Sequence, residues 1–383
     1  MVLSIPPLST LRERTSSKWK TYPADVLPMF VAELDVALAD PIRRALEKAV
    51  RDGDTGYSGP DRSLAEAFAS FAAWRWGWSV DPGRVTYTTD VSVVLVESLR
   101  MLTRPGDGVI VMPPIYPPFF DLPPEAGART VSVPLQKSGG SWRIDLAGIE
   151  REMAHGARVV LLCHPHNPLG VVFSREELTE LSEIVARHGG YVVSDEVHAP
   201  MTHADTAFVP YLTVSEAARE HGVAAHSASK SWNVAGLKCA QFVTASARMD
   251  HLLRGMADEV HFRTGIFGRI AARAAYTDAR GWLDELDTFL GENRRLLARL
   301  VTERLPQVGY SEPHAGYLAW LDLSALGWGD DPARQALRLA RVALNSGPTF
   351  GPQGAGHVRL NFGCAPETLA EGVGRLAEAA RQR

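Results

Sequence analysis

Short apolar runs punctuate the chain, and the stretches between them carry apolar residues every three or four positions. Val109-Ile110-Val111-Met112, Val159-Val160-Leu161-Leu162-Cys163 and Tyr191-Val192-Val193 are continuous enough to be strands buried on both faces. Helical patterns separate them, and that alternation is what a mostly parallel sheet covered by helices requires. One crossover helix is marked at both ends. Ser174 is followed three residues on by Glu177, a capping-box pattern, and the segment stops at Gly189-Gly190. Further along, Trp282, Leu283, Leu286, Phe289, Leu290, Leu296, Leu297 and Leu300 mark a long amphipathic helix, expected to bridge two lobes. No internal repeat or low-complexity linker interrupts the pattern.

Length turns one core into two. A chain of 383 residues exceeds what a single core usually supports, and 45% hydrophobic with 22% charged residues is ordinary for a soluble globular protein. The net charge of -4 offers no basic footprint for nucleic acid. No run approaches the roughly 18 apolar residues of a membrane span, and residues 1–20 lack the apolar stretch of a secretory signal. A cytoplasmic address without membrane partners is the expectation. Cys163, Cys239 and Cys364 are far apart and odd in number, which suits reduced packing thiols and gives no metal-ligand spacing.

Six lysines stand against thirty-four arginines. An amine forms a Schiff base with an aldehyde and a guanidinium does not, so Lys230, within Ser227-Ala228-Ser229-Lys230, invites a chemical explanation. The strand over Tyr191-Val192-Val193 runs into Ser194-Asp195-Glu196-Val197-His198, which puts Asp195 at the carboxyl edge of a sheet, where open α/β folds bind ligands. The run ending at Cys163 discharges into His164-Pro165-His166-Asn167-Pro168-Leu169-Gly170, so Asn167 is a loop-held amide beside the same edge. An amide for a phenolate oxygen, a carboxylate for a pyridine nitrogen and an amine for an aldehyde are what pyridoxal 5'-phosphate needs.

With those segments, the chain resembles the fold-type I pyridoxal 5'-phosphate enzymes of the class I/II aminotransferase superfamily. Within it, five stretches resemble the MalY/PatB group of cystathionine β-lyase-like carbon–sulfur lyases. They are Arg14-Thr15-Ser16-Ser17-Lys18-Trp19, Met29-Phe30-Val31-Ala32-Glu33-Leu34-Asp35, Pro114-Ile115-Tyr116-Pro117-Pro118-Phe119-Phe120, His164-Pro165-His166-Asn167-Pro168 and Val358-Arg359-Leu360-Asn361-Phe362. The match runs from about residue 10 to the end of the chain.

The resemblance implies a large cofactor domain over residues 46–285 with a mostly parallel sheet, and a smaller α+β domain from residues 1–45 and 286–383. It implies that Tyr116 stacks on the pyridine ring, acting with Lys230 and Asp195 as catalytic residues. Val91 and Ser92 would offer backbone N–H groups to the phosphate, Ser227 a hydroxyl and Lys238 a charge. Members of the family usually have glycine where Asp90 stands, and a carboxylate repels a nearby dianion unless turned outward. His198 would support the groups around the phenolate oxygen. Arg359 would hold the substrate's α-carboxylate in two parallel hydrogen bonds, with Asn167, Glu33 and Leu34 beside the substrate. Tyr57 would reach a neighbouring subunit's phosphate, which implies a homodimer with shared active sites.

Lys230 is then the base that removes the Cα proton of an amino acid substrate. Loss of a thiolate from Cβ of cystathionine or another cysteine S-conjugate gives thiol, pyruvate and ammonia. An aminotransferase shares the path as far as the carbanion and is the alternative. A cofactor-free binding protein of the same fold is the third reading.

Overall fold

The computed structural model describes residues 3–59 and 61–382. Seven strands form its central sheet: β1 (Val85–Thr88), β2 (Gly108–Val111), β3 (Arg129–Ser132), β4 (Ala157–Cys163), β5 (Tyr191–Asp195), β6 (Gly222–His226) and β7 (Ala240–Val243). Their spatial order is β1-β7-β6-β5-β4-β2-β3. Pairing is parallel except at β7, which runs opposite to both neighbours.

Side chains on a strand alternate between faces, and here both faces are apolar. Val109, Val159, Leu161, Cys163 and Val193 pack in one cluster, while Ile110, Val160, Leu162 and Val192 pack in the other. Burying each such Val or Leu contributes roughly 1.5–3 kcal/mol. That two-sided demand is why the strands read as unbroken apolar runs. Register then matters for the site: Cys163 pairs with Asp195 and Asp195 with Ala225, so β4, β5 and β6 end at one edge.

Four helices place the rest: α1 (Val91–Leu102), α2 (Arg175–Arg187), α3 (Arg280–Arg304) and α4 (Pro366–Arg381). At the start of α2, Ser174 Oγ accepts from the Glu177 N–H and Glu177 Oε2 accepts from the Ser174 N–H, both at 3.2 Å. Such a cap contributes about 1 kcal/mol. Helix α3 is the long amphipathic helix of the sequence pattern, with Trp282, Leu283, Leu286, Leu290, Leu297 and Leu300 buried. It reaches both parts of the molecule. Asp287 pairs with Arg75, and Asn293 Nδ2 donates to the carbonyls of Phe362 and Cys364 at 2.8 and 2.7 Å.

A second, antiparallel sheet holds β8 (Gly309–Tyr310), β9 (Leu318–Asp322), β10 (Asn345–Ser346) and β11 (His357–Asn361), in the order β8-β9-β11-β10. The N-terminal segment joins this half, since Leu27–Pro28 pairs in parallel with Val342–Ala343. No helix among the described residues is long and apolar enough to cross a membrane.

Candidate active site

The carboxyl ends of β4, β5 and β6, the start of α1 and strand β11 enclose a cavity of about 560 Å³. Its wall includes Asn167, Asp195, Lys230, Tyr116 and Arg359, residues far apart in the chain. Open sheets place ligands at this edge because the loops leaving parallel strands converge there.

Asp195 ends β5 and is buried, and its Oδ1 accepts a hydrogen bond from the Val197 N–H at 3.1 Å. Burial pushes its carboxyl up to about 7, against the opposing pull of that hydrogen bond and of Lys230. Lys230 follows β6, and its Nζ donates to the Ala32 carbonyl at 3.3 Å. Burial holds the amine below the ordinary lysine range, and Arg359 pushes it the same way. Tyr317 also donates to the Ala32 carbonyl, at 2.9 Å, so one backbone oxygen fixes both groups.

That oxygen is held by a lattice of contacts on the segment around it. Asn361 Nδ2 donates to the carbonyls of Val31 and Glu33 at 2.6 Å each, and Asn233 pairs with both backbone groups of Leu34 at 2.9 Å. Lys18 donates to the Glu33 carbonyl at 3.1 Å and forms a buried ion pair with Asp35 at 2.6 Å. Arg359 and Asn361 lie two apart on β11 and share a face, while Leu360 points into the core.

Arg359 is 4% exposed. Its Nη1 donates to Asn167 Oδ1 at 2.9 Å, and its Nη2 donates to the Phe30 carbonyl at 3.1 Å and to Asn345 Oδ1 at 2.5 Å. The guanidinium lies over the Phe350 ring, 5.1 Å from its centroid. Burial brings it down to about 10, and its Nε–H has no hydrogen-bond partner among the described residues. A buried donor without a partner costs about 1–3 kcal/mol, which a bound carboxylate would recover.

The loop carrying Asn167 turns tightly. Gly170 has φ +66°, and a β-carbon there would lie 2.3 Å from Pro313 Cβ, so only glycine fits. The Asn167 carbonyl accepts from the Tyr116 N–H at 3.0 Å, tying the ring-bearing turn to the amide. His198 is buried and pushed down to about 3 by burial, Lys230 and Arg359, so it is a neutral ring at working pH.

At the other end of the cavity stand Val91, Ser92, Ser227 and Lys238. Ser227 Oγ donates to the Cys239 carbonyl at 2.7 Å and accepts from the Ser229 N–H at 3.0 Å, so its proton is committed within the loop. Asp90 is not turned outward. It caps α1 by accepting from the Val93 N–H at 3.1 Å and pairs with Lys238 at 3.1 Å.

Three expected residues lie elsewhere in the chain's own geometry. Glu33 and Leu34 are absent from the cavity wall, which holds Phe30, Val31 and Ala32 instead. Glu33 turns its carboxylate to Ser16 Oγ at 2.7 Å, and Leu34 is buried. Tyr57 is fully exposed and also outside this wall. Sequence reasoning missed Ala32, Tyr317, Asn345 and Ser229. Ala32 acts through its backbone and leaves no side-chain signal, whereas Tyr317 and Asn345 sit in no motif.

Pyridoxal 5'-phosphate fits these residues. A buried carboxylate held up at about 7 gains from a cationic ring nitrogen, an amine of lowered basicity suits an aldehyde, and the cavity ends in a lysine beside a helix N-terminus.

A family model for aminotransferase class I and II matches residues 31–376. A cystathionine beta-lyase of Corynebacterium glutamicum is 35% identical, over 98% of this chain and 99% of its own. Cystathionine beta-lyase PatB of Bacillus subtilis is 34% identical, over 93% and 92%. Cystalysin of Treponema denticola, whose crystal structure contains a pyridoxal 5'-phosphate cofactor, shares the fold at a TM-score of 0.94 with 22% identity over the whole of both chains. The chain belongs to the class I and II aminotransferase family and has the type I fold of the pyridoxal 5'-phosphate enzymes.

Proposed function

We propose that this protein is a pyridoxal 5'-phosphate-dependent carbon–sulfur lyase, cleaving cystathionine or a related cysteine S-conjugate by α,β-elimination. The observation that carries the reading is one cavity bringing the Lys230 amine, the buried Asp195 carboxylate and the Arg359 guanidinium together. The names of the Corynebacterium and Bacillus relatives favour elimination.

When bound, the cofactor supplies an aldehyde that links to an amine and a ring that accepts the electron pair left at Cα. Asp195 would keep the ring nitrogen protonated, Tyr116 would meet the ring face, and Asn167 would meet the phenolate oxygen. Val91 and Ser92 would offer backbone N–H groups and Lys238 a charge to the phosphate, while Ser227, whose proton goes to the Cys239 carbonyl, lines the same end. Arg359 holds the α-carboxylate and so fixes which Cα bond faces Lys230. Lys230, its basicity lowered by burial and by Arg359, would take the Cα proton. The C–S bond would then break with its electron pair on sulfur while the pair left at Cα forms a Cα–Cβ double bond; the thiolate takes one proton, Cβ takes another as the released enamine becomes an imine, and water replaces the nitrogen to give pyruvate and ammonia.

Residues 46–285 are the cofactor lobe and residues 1–45 with 286–383 the small lobe, a division supported by the pairing of Leu27–Pro28 with Val342–Ala343. The active unit is a homodimer located in the cytoplasm. Tyr57 is fully exposed and Phe262 69% exposed, which suits burial against a second copy, and the three cysteines are buried free thiols. Sedimentation of the loaded enzyme at a single chain's mass would refute the dimer.

Incubation with cystathionine and with an S-alkyl cysteine tests the reaction. The loaded enzyme releases thiol and pyruvate together, and Lys230→Ala loses at least about 100-fold in rate. Amino transfer to a keto acid with no thiol would make the protein an aminotransferase, the reading that its family model's name favours.

A further inference from the structure

One contact at the phosphate end of the cavity is unused by the proposed chemistry. The Asp90 carboxylate is engaged on both oxygens: Oδ1 accepts from the Val93 N–H at 3.1 Å and Oδ2 pairs with Lys238 Nζ at 3.1 Å. Both residues line the same cavity as Val91, Ser92 and Lys230. Lys238 is itself held in a conformation its β-carbon disfavours, at φ 57° and ψ 73°. Strained backbone of this kind persists where the surroundings over-determine it, and here it sets the amine across from the start of α1.

A helix N-terminus and a lysine are two groups that receive phosphate, and one carboxylate holds both. A phosphate entering this end must draw Lys238 away from Asp90, share it, or lie beside a like charge. We infer that Asp90 is a built-in competitor for the cofactor's phosphate, setting how tightly the cofactor is held while touching no reacting atom. This rests on the reading of the cavity as a pyridoxal 5'-phosphate site. In the cofactor-free protein the pairing neutralises Lys238 and keeps it in place, and on loading the lysine passes from carboxylate to phosphate while Asp90 retains the cap.

Capping alone would also explain an aspartate at this position, and the two explanations separate cleanly. Asparagine and serine cap a helix about as well as aspartate but carry no charge. Cofactor-free wild type, Asp90→Asn and Asp90→Ser are titrated with pyridoxal 5'-phosphate, following the visible absorbance of the lysine-linked cofactor. They are titrated in parallel with pyridoxal, which has the ring and aldehyde but no phosphate. The dissociation constant for pyridoxal 5'-phosphate falls about tenfold in both variants, and that for pyridoxal stays unchanged. Inorganic phosphate raises the melting midpoint of the variants at lower concentration than that of wild type. Unchanged or weaker binding of pyridoxal 5'-phosphate by both variants overturns the competition, and so does equal tightening for the two ligands. Failure of all three proteins to take up either ligand overturns the reading of the site instead.

Discussion

Asp195 is a buried carboxylate, and the Val197 N–H and Lys230 offset only part of what burial costs its charge. Burial raises it from 3.8 to about 7, so the folded protein holds a proton there more tightly than the unfolded chain does. The stability this proton confers is complete below pH 4 and is lost as pH rises through the folded value near 7. Urea unfolding of cofactor-free wild type and Asp195→Asn across pH 4 to 7 isolates the effect from the histidines that titrate in the same range. Wild type loses roughly 2–4 kcal/mol relative to the variant over that window, and the loss shrinks when the cofactor is loaded. A stability difference independent of pH would show that the carboxylate is ionised without the ring. Lys230 and Asp195 were legible in the sequence because lysine is rare here and because an apolar run ending in Asp-Glu is a visible edge. The Arg359 Nε–H, without a partner among the described residues, and the doubly used Ala32 carbonyl were not, since each is a property of neighbours distant in the chain.

At the scale of elements, periodicity worked where it had enough positions to act on. The apolar runs became β2, β4 and β5, the capping box formed at α2, and the amphipathic stretch became α3, two residues earlier at its start than Trp282. Strand β10 has two residues, too few to show alternation, yet it carries the Asn345 that orients Arg359. The segment 30–35 has no regular structure of its own. Its shape comes from Lys18, Asn233, Arg359 and Asn361 binding its backbone, contacts that span up to 330 residues of sequence. Motif resemblance pointed to this segment and placed Glu33 and Leu34 beside the substrate. The geometry gives the wall to Phe30, Val31 and Ala32, while Glu33 turns its carboxylate to Ser16 Oγ and the Leu34 side chain packs in the core.

For the whole molecule, the cavity exists because two sheets meet. The central sheet contributes the Lys230 amine and the Asp195 carboxylate, the smaller sheet contributes the Arg359 guanidinium, and the N-terminal segment crosses between them with the carbonyl that holds the amine. Length and alternation raise the expectation of two lobes, whereas the crossing depends on contacts that no local pattern encodes. The account turns on a single amine, Lys230, joining the aldehyde of pyridoxal 5'-phosphate. Borohydride reduction of the loaded enzyme, followed by peptide mapping, tests it most directly. The account predicts one stable label on Lys230, within the peptide containing Ser227-Ala228-Ser229-Lys230. A label on any other lysine, or none after loading, would contradict it.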